Sequence, residues 1–102
     1  MTHPALAKGS VAVITGAASG IGLAAARHLS RLGLRIGIVD LDAKRLELAR
    51  DRLIALGAAP ENVMAYAADM GDKAQIAALA DAVFAAFGTV NVLLNKDRKS
   101  VV

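Results

Sequence analysis

Thr15-Gly16-Ala17-Ala18-Ser19-Gly20-Ile21-Gly22 directly follows the apolar run Val11-Ala12-Val13-Ile14 and opens a helical pattern that continues past Leu29. A chain that turns at once from a parallel strand into a helix presents the helix's free N–H groups and positive dipole end at the strand's C-terminal edge. A pyrophosphate fits there, provided that side chains do not block it. Glycine at 16 permits the sharp exit, while glycines at 20 and 22 let backbone approach a phosphate and let the helix lie close to the sheet. Ser19 adds a hydroxyl donor. The stretch from Gly20 to Ala25 also fits a G-x-G-x-x-A phasing, but the glycine that directly follows the strand is Gly16. The lysine of the mononucleotide loop G-x-x-x-x-G-K-[ST] is missing, which argues against a kinase or GTPase.

Outward from this turn, short β-branched runs alternate with stretches of helical spacing: strand, helix, strand, helix, strand, helix, strand. The strands are expected at about 11–15, 35–40, 62–68 and 90–95. Such alternation implies an α/β fold of parallel strands joined by right-handed crossovers. In the first helix Ile21, Ala25, Leu29 and Leu32 are expected on the packed face; in the second, which starts near Asp42, Leu46, Ala49, Leu53 and Leu56. The third carries Ile76, Leu79, Ala80, Val83, Phe84 and Phe87 at i, i+3, i+4, i+7, i+8 and i+11, and Asp72 with Gln75 forms a capping box. Gly33, Gly57 and Gly88 read as ordinary helix stops.

Composition narrows the function classes. One domain is the most that 102 residues support, and its core must be aliphatic and alanine-rich, because the chain is 56% hydrophobic with only three aromatic residues. The net charge of +3 does not mark a nucleic-acid surface: residues 1–95 hold nine basic and eight acidic side chains, and Lys96, Asp97, Arg98 and Lys99 supply the remaining +2. No cysteine is present, so disulfides and thiolate metal sites are excluded. Met1-Thr2-His3-Pro4 does not open a signal peptide, and no apolar run approaches 18 residues. The expectation is a cytoplasmic protein with no membrane partner. His3 and His28 have no surrounding metal or catalytic constellation, and Tyr66, the sole tyrosine, reads as a sheet residue.

Asp40, followed by Leu41, stands at the end of the second strand, 18 residues beyond Gly22, where a carboxylate accepts hydrogen bonds from a ribose diol. A phosphate on that ribose would meet like charge, at a cost of about 1–4 kcal/mol per unit charge at roughly 4 Å. No lysine or arginine occupies 17–19 or 41 to offset it. NAD is therefore expected in preference to NADP. Asp42 is better placed than Asp40 to cap the helix that follows.

Taken together, these residues resemble the classical short-chain dehydrogenase/reductase family over positions 9–95. The resemblance rests on Thr-Gly-x-x-x-Gly-x-Gly at 15–22, Asp40, Asp69 after the third strand, and Val92-Leu93-Leu94-Asn95, which leads into what is normally Asn-Asn-Ala-Gly. It implies a Rossmann-type three-layer α/β/α arrangement with partial strand order 3-2-1-4. It also implies that Asp69 bonds the adenine amino group, that the Met70 backbone meets the adenine edge, and that the Ile21 backbone lies near the phosphates. Asn95 corresponds to the first asparagine of Asn-Asn-Ala-Gly, bordering the cofactor. Lys96-Asp97-Arg98-Lys99-Ser100-Val101-Val102 departs from that motif, and the family's catalytic serine and Tyr-x-x-x-Lys pair have no counterpart in the sequence.

The organisation expected is a disordered arm at 1–8, an NAD-binding half-domain at 9–95, and a polar tail at 96–102 produced by a changed reading frame or appended residues. The corresponding function is the cofactor-binding part of an oxidoreductase acting on alcohols or carbonyls, inactive alone, with no catalytic residue of its own. Two alternatives stay open. One is a non-enzymatic nucleotide-binding module that self-associates, or docks a separate fragment, along the exposed fourth strand at 90–95. The other is a gene product without selected function.

Overall fold

The computed structural model describes residues 9–18 and 20–95. The expectations placed on the arm at 1–8, on Ser19 and on the tail at 96–102 lie outside the described residues. In chain order the elements are β1 (Val11–Thr15), α1 (Gly20–Arg31), β2 (Arg35–Asp40), α2 (Ala43–Ala55), β3 (Val63–Ala67), α3 (Lys73–Phe87) and β4 (Val92–Asn95), with a 3-10 turn at Pro60–Asn62 before β3. The sheet order is β3-β2-β1-β4 and every pairing is parallel. The register sets Thr15 beside Val39 and Asn95, and Asp40 beside Ala67, so the C-terminal ends of all four strands form one edge.

All five residues of β1 are buried, as a strand covered on both faces requires. On one face Ala12, Ile14, Ile36 and Ile38 pack under Ala26 and Leu29 of α1 and Leu46, Ala49 and Leu53 of α2. On the other, Val11, Val13 and Val39 pack under Leu79, Val83 and Phe87 of α3. Each large aliphatic side chain so enclosed contributes roughly 1.5–3 kcal/mol relative to exposure. Polar ties fix the margins. The Arg50 guanidinium donates to the carbonyls of Val63 and Pro60, each at 3.0 Å, which anchors α2 to the start of β3. The Asn91 side chain accepts the Val11 N–H at 2.9 Å while its own N–H donates to Val11 O, docking the approach to β4 beside β1.

Strands three and four are shorter than their patterns. Asn62 is taken up by the 3-10 turn, and the Asn91 side-chain bond replaces a ladder step before β4 begins. Helix α1 keeps only part of the expected face: Leu29 is buried and Ala25 packs against the core, but Gly22 and Ala26 are buried beside them, whereas Ile21 is 75% exposed and Leu32 lies at the surface past the helix end. The glycine turn causes this, because it brings Gly22 rather than its larger neighbour against the loop. Leu56 is half exposed at the end of α2, and Ile76 and Phe84 are exposed on α3, whose apolar stripe is wider than the sheet beneath it.

Helices α2 and α3 begin on carboxylates. Asp42 Oδ1 accepts the N–H groups of Lys44 and Arg45, and Asp72 Oδ1 those of Ala74 and Gln75. The Gln75 side chain first, then the backbone N–H groups of Gln75 and Ala74, hold the Asp72 carboxyl below its ordinary range. Stabilisation from this cap is therefore present above the ordinary carboxylate range and lost as pH falls below it. The expected capping box closes differently. The Asp72 N–H already donates to Asp69 O at 3.1 Å, so the Gln75 side-chain carbonyl reaches instead to the Asp69 N–H, at 2.8 Å. At the other end of α3, Gly88 stops the helix in the left-handed conformation.

Burial predicts a contrast between two aliphatic truncations. Ile38→Ala, at a fully buried position, is expected to cost about 2–5 kcal/mol in urea unfolding. Leu48→Ala, where the side chain is 65% exposed, is expected to stay within about 0.5 kcal/mol of the parent.

Candidate functional site

The C-terminal strand edge opens into a cleft of about 210 Å³ lined by Thr15, Gly16, Val39, Asp40, Leu41, Ala68, Asp69 and Met70. Five residues singled out from the sequence, Gly16, Asp40, Leu41, Asp69 and Met70, meet there although they are spread over 55 positions. Thr15, Val39 and Ala68 were not singled out. They stand at or next to the C-terminal ends of strands, and that position is the signal that points to them, since ligands in open parallel sheets bind outside the carboxyl ends of the strands.

Gly16 leaves β1 at φ 66, a conformation that L side chains rarely adopt. Gly22, one turn into α1, approaches the loop so closely that a Cβ there would run into the carbonyl oxygen of Gly16 and lie 2.9 Å from Ala17 Cα. Glycine at 22 thus lets α1 begin against the tip of β1. No acidic residue lies in the first turn of α1, unlike the carboxylate-capped starts of α2 and α3. Gly20 and Ile21 are exposed at this end, so its positive dipole faces outward with no acid from the helix's own first turn over it.

Asp40 ties the second strand's tip to this turn. One carboxylate oxygen accepts the Ala18 N–H at 3.1 Å, the other its neighbour's, Leu41, at 2.7 Å, and the Ala17 N–H donates to Val39 O at 3.1 Å. A carboxylate oxygen can accept two bonds, so each retains capacity for a hydroxyl donor. Val39, Leu41, Ala68 and Met70 make part of the cleft apolar, and Asp69, which also lines it, accepts the Gly71 N–H on Oδ1 at 2.8 Å. A partly apolar cleft lined by two acidic residues, beside a glycine turn that leads into a helix with no acid in its first turn, has donors for a diphosphate and acceptors for hydroxyl and amino groups.

The other expected residues sit as follows. Asn95 pairs with Thr15 through the β1–β4 ladder, which puts its backbone at the same edge. Tyr66 is a half-buried residue of β3, and His28 is exposed on α1. A groove between α1 and α2, lined by Gly20, Leu23 and Arg27 on one side and Arg52 and Leu56 on the other, shares no lining residue with the cleft. Among the described residues no group of three or more His, Asp or Glu is placed to hold a metal. No helix among them is long and apolar enough to cross a membrane.

Residues 10–96 match the family described as short chain dehydrogenase. The chain is 42% identical over 87 residues to a D-threitol dehydrogenase of Mycolicibacterium smegmatis, an alignment covering 85% of this chain and 32% of that protein. A short chain dehydrogenase/reductase from Burkholderia phymatum, solved in complex with NAD, is 43% identical with a TM-score of 0.78, covering 84% of this chain and 30% of that one. A metagenomic short-chain oxidoreductase in complex with NADP is 38% identical, also with a TM-score of 0.78, covering 86% of this chain and 38% of that one. The chain spans about a third of the length of the curated relatives it matches.

The contact at Gly22 reverses an ordinary preference. Alanine inside a helix is favoured over glycine by roughly 1 kcal/mol, but here its methyl group would meet backbone that cannot move aside. Gly22→Ala is expected to lose about 1–3 kcal/mol in urea unfolding, and unchanged or raised stability would refute the close approach.

Proposed function

The chain belongs to the short-chain dehydrogenase family, and from that premise we propose that residues 9–95 form the NAD(H)-binding portion of an oxidoreductase acting on alcohol or carbonyl substrates. The observation that carries this reading is the cleft in which the Gly16 turn, Asp40 and Asp69 converge at the strand tips. In it, the turn at 16–22 and the start of α1, with Ser19, hold the diphosphate. Asp40 and Leu41 hold the adenosine ribose, Asp69 and Met70 the adenine, and Asn95 borders the cofactor. The bound dinucleotide supplies a hydride-accepting or hydride-donating nicotinamide ring.

The chain's own residues bind and orient. Asp40 is acceptor-only when ionised, so it favours a free diol and opposes a 2′-phosphate by about 1–4 kcal/mol per unit charge at contact. Solved relatives hold NAD in one case and NADP in another, so the preference for NAD rests on Asp40. Hydride transfer to or from an alcohol also needs a group that moves the hydroxyl proton. The sequence has no serine paired with Tyr-x-x-x-Lys, and its one tyrosine, Tyr66, lies in β3. These 102 residues are accordingly proposed to bind cofactor without turnover, in the cytoplasm.

A second reading is favoured by the outer edge of β4, which has no partner strand among the described residues, and by Leu93, 59% exposed, with Phe84 exposed nearby. It has two copies of the chain pairing along β4; a monodisperse monomer in sedimentation would exclude it.

The main reading is tested by titrating the chain with NAD, NADP and ADP-ribose while recording amide shifts. Shifts at 16–22, 40–41 and 69–70 are expected, with NAD binding at least about fivefold tighter than NADP and Asp40→Ala narrowing that gap. Tighter NADP binding would reject the role given to Asp40, and absence of any response would reject the site.

A further inference from the structure

Asp69 is held from three sides. Its N–H donates to Gln75 Oε1 at 2.8 Å, its carbonyl accepts the Asp72 N–H at 3.1 Å, and its Oδ1 accepts the Gly71 N–H at 2.8 Å. The last two bonds are local to the turn at 69–72 and would travel with it. The bond from Gln75 alone reaches Asp69 from within α3, from the helix's first turn six residues away. Gln75 is itself fixed, since its Nε2 donates to Asp72 Oδ2 at 3.2 Å and its backbone N–H to Asp72 Oδ1 at 3.4 Å. Helix α3 in turn is bolted to the sheet by Leu79, Val83 and Phe87.

The exposed turn that carries Asp69 follows Ala68, which is buried and donates its N–H to Asp40 O at 3.0 Å, and the Gln75 side chain adds a tie from the Asp69 backbone to α3. Asp69 lines the cleft together with the apolar residues Val39, Leu41, Ala68 and Met70. An acceptor-only group in a partly apolar cleft favours a heterocycle with an amino donor and opposes one with a carbonyl at the same place. Such discrimination depends on the acceptor staying where the donor arrives, because a displaced carboxylate or an interposed water meets either base equally well.

We propose that Gln75 is a positioning residue that holds Asp69 in place to select an amino-bearing purine in the nucleotide cleft. This rests on the nucleotide reading above, and it adds a determinant on a helix that does not line the cleft. The lowered pKa of the Asp72 carboxyl agrees with it, since the Gln75 side chain is the largest cause.

The test compares NAD with nicotinamide hypoxanthine dinucleotide, which replaces the amino group by a carbonyl, using the full chain and its Gln75→Ala and Gln75→Met variants. The parent is expected to favour NAD by about tenfold or more, and both variants to bring the ratio to within about threefold while retaining NAD binding and the amide spectrum of a folded chain. Methionine keeps the length and helix propensity of glutamine but has no amide, so a purely structural role for residue 75 would leave the Gln75→Met ratio at the parent value. A parental ratio in both variants would overturn the proposal, as would a parent that binds NAD without discriminating. A parent that binds neither dinucleotide would instead refute the nucleotide reading itself, and the two failures are distinct.

Discussion

Everything at the functional edge depends on how closely α1 starts against the tip of β1. That contact is backbone on backbone: Gly22 lies where any Cβ would strike the Gly16 carbonyl. Because α1 begins there, the N–H groups of its first turn, which have no partner within the helix, and its dipole are delivered to the strand edge. The same approach sets the helix's rotation, burying Gly22, Ala26 and Leu29 and turning Ile21 outward. A single steric constraint thus decides both what α1 contributes to the core and what it offers to a ligand.

The three helix starts divide the work. Asp42 and Asp72 each accept two N–H groups of the first turn of α2 and α3, which makes those ends structural. The first turn of α1 has no acid of its own, while the nearest carboxylate, Asp40, binds the loop before it through Ala18. In the proposed nucleotide site this lets Asp40 brace the turn and face a ribose at once, because each of its oxygens can accept more than one bond. At the other end of the cleft, Asp69 is braced through Gln75 by α3, so both carboxylates are tied to elements that the core immobilises.

The apolar faces were only partly legible. Buried positions of α2 and α3, namely Leu46, Ala49, Leu53, Leu79, Val83 and Phe87, follow from helical spacing, since each needs only a sheet beneath it. Ile76 and Phe84 share the spacing yet remain exposed, because periodicity records which face is apolar and not how far the sheet extends under it. The clamps of Arg50 and Asn91 left no mark in any pattern. They depend on which carbonyls and N–H groups the fold leaves nearby, and those belong to segments 13 and 80 residues distant.

What the amino-acid order determined alone was local: the alternation of strands and helices, the caps at Asp42 and Asp72, the stop at Gly88, and the glycine turn with Asp40 at the next strand's end. Each of these is a property of a few neighbouring residues, governed by dihedral freedom, short-range hydrogen bonding and side-chain period. Only the tertiary structure decided which face of α1 packs, which groups line the cleft between Gly16 and Met70, and where the Gln75 side chain goes. Its carbonyl bypasses the expected partner because a bond from Asp72 to Asp69 had already consumed that donor, and such competition is settled only when all the groups stand together in space.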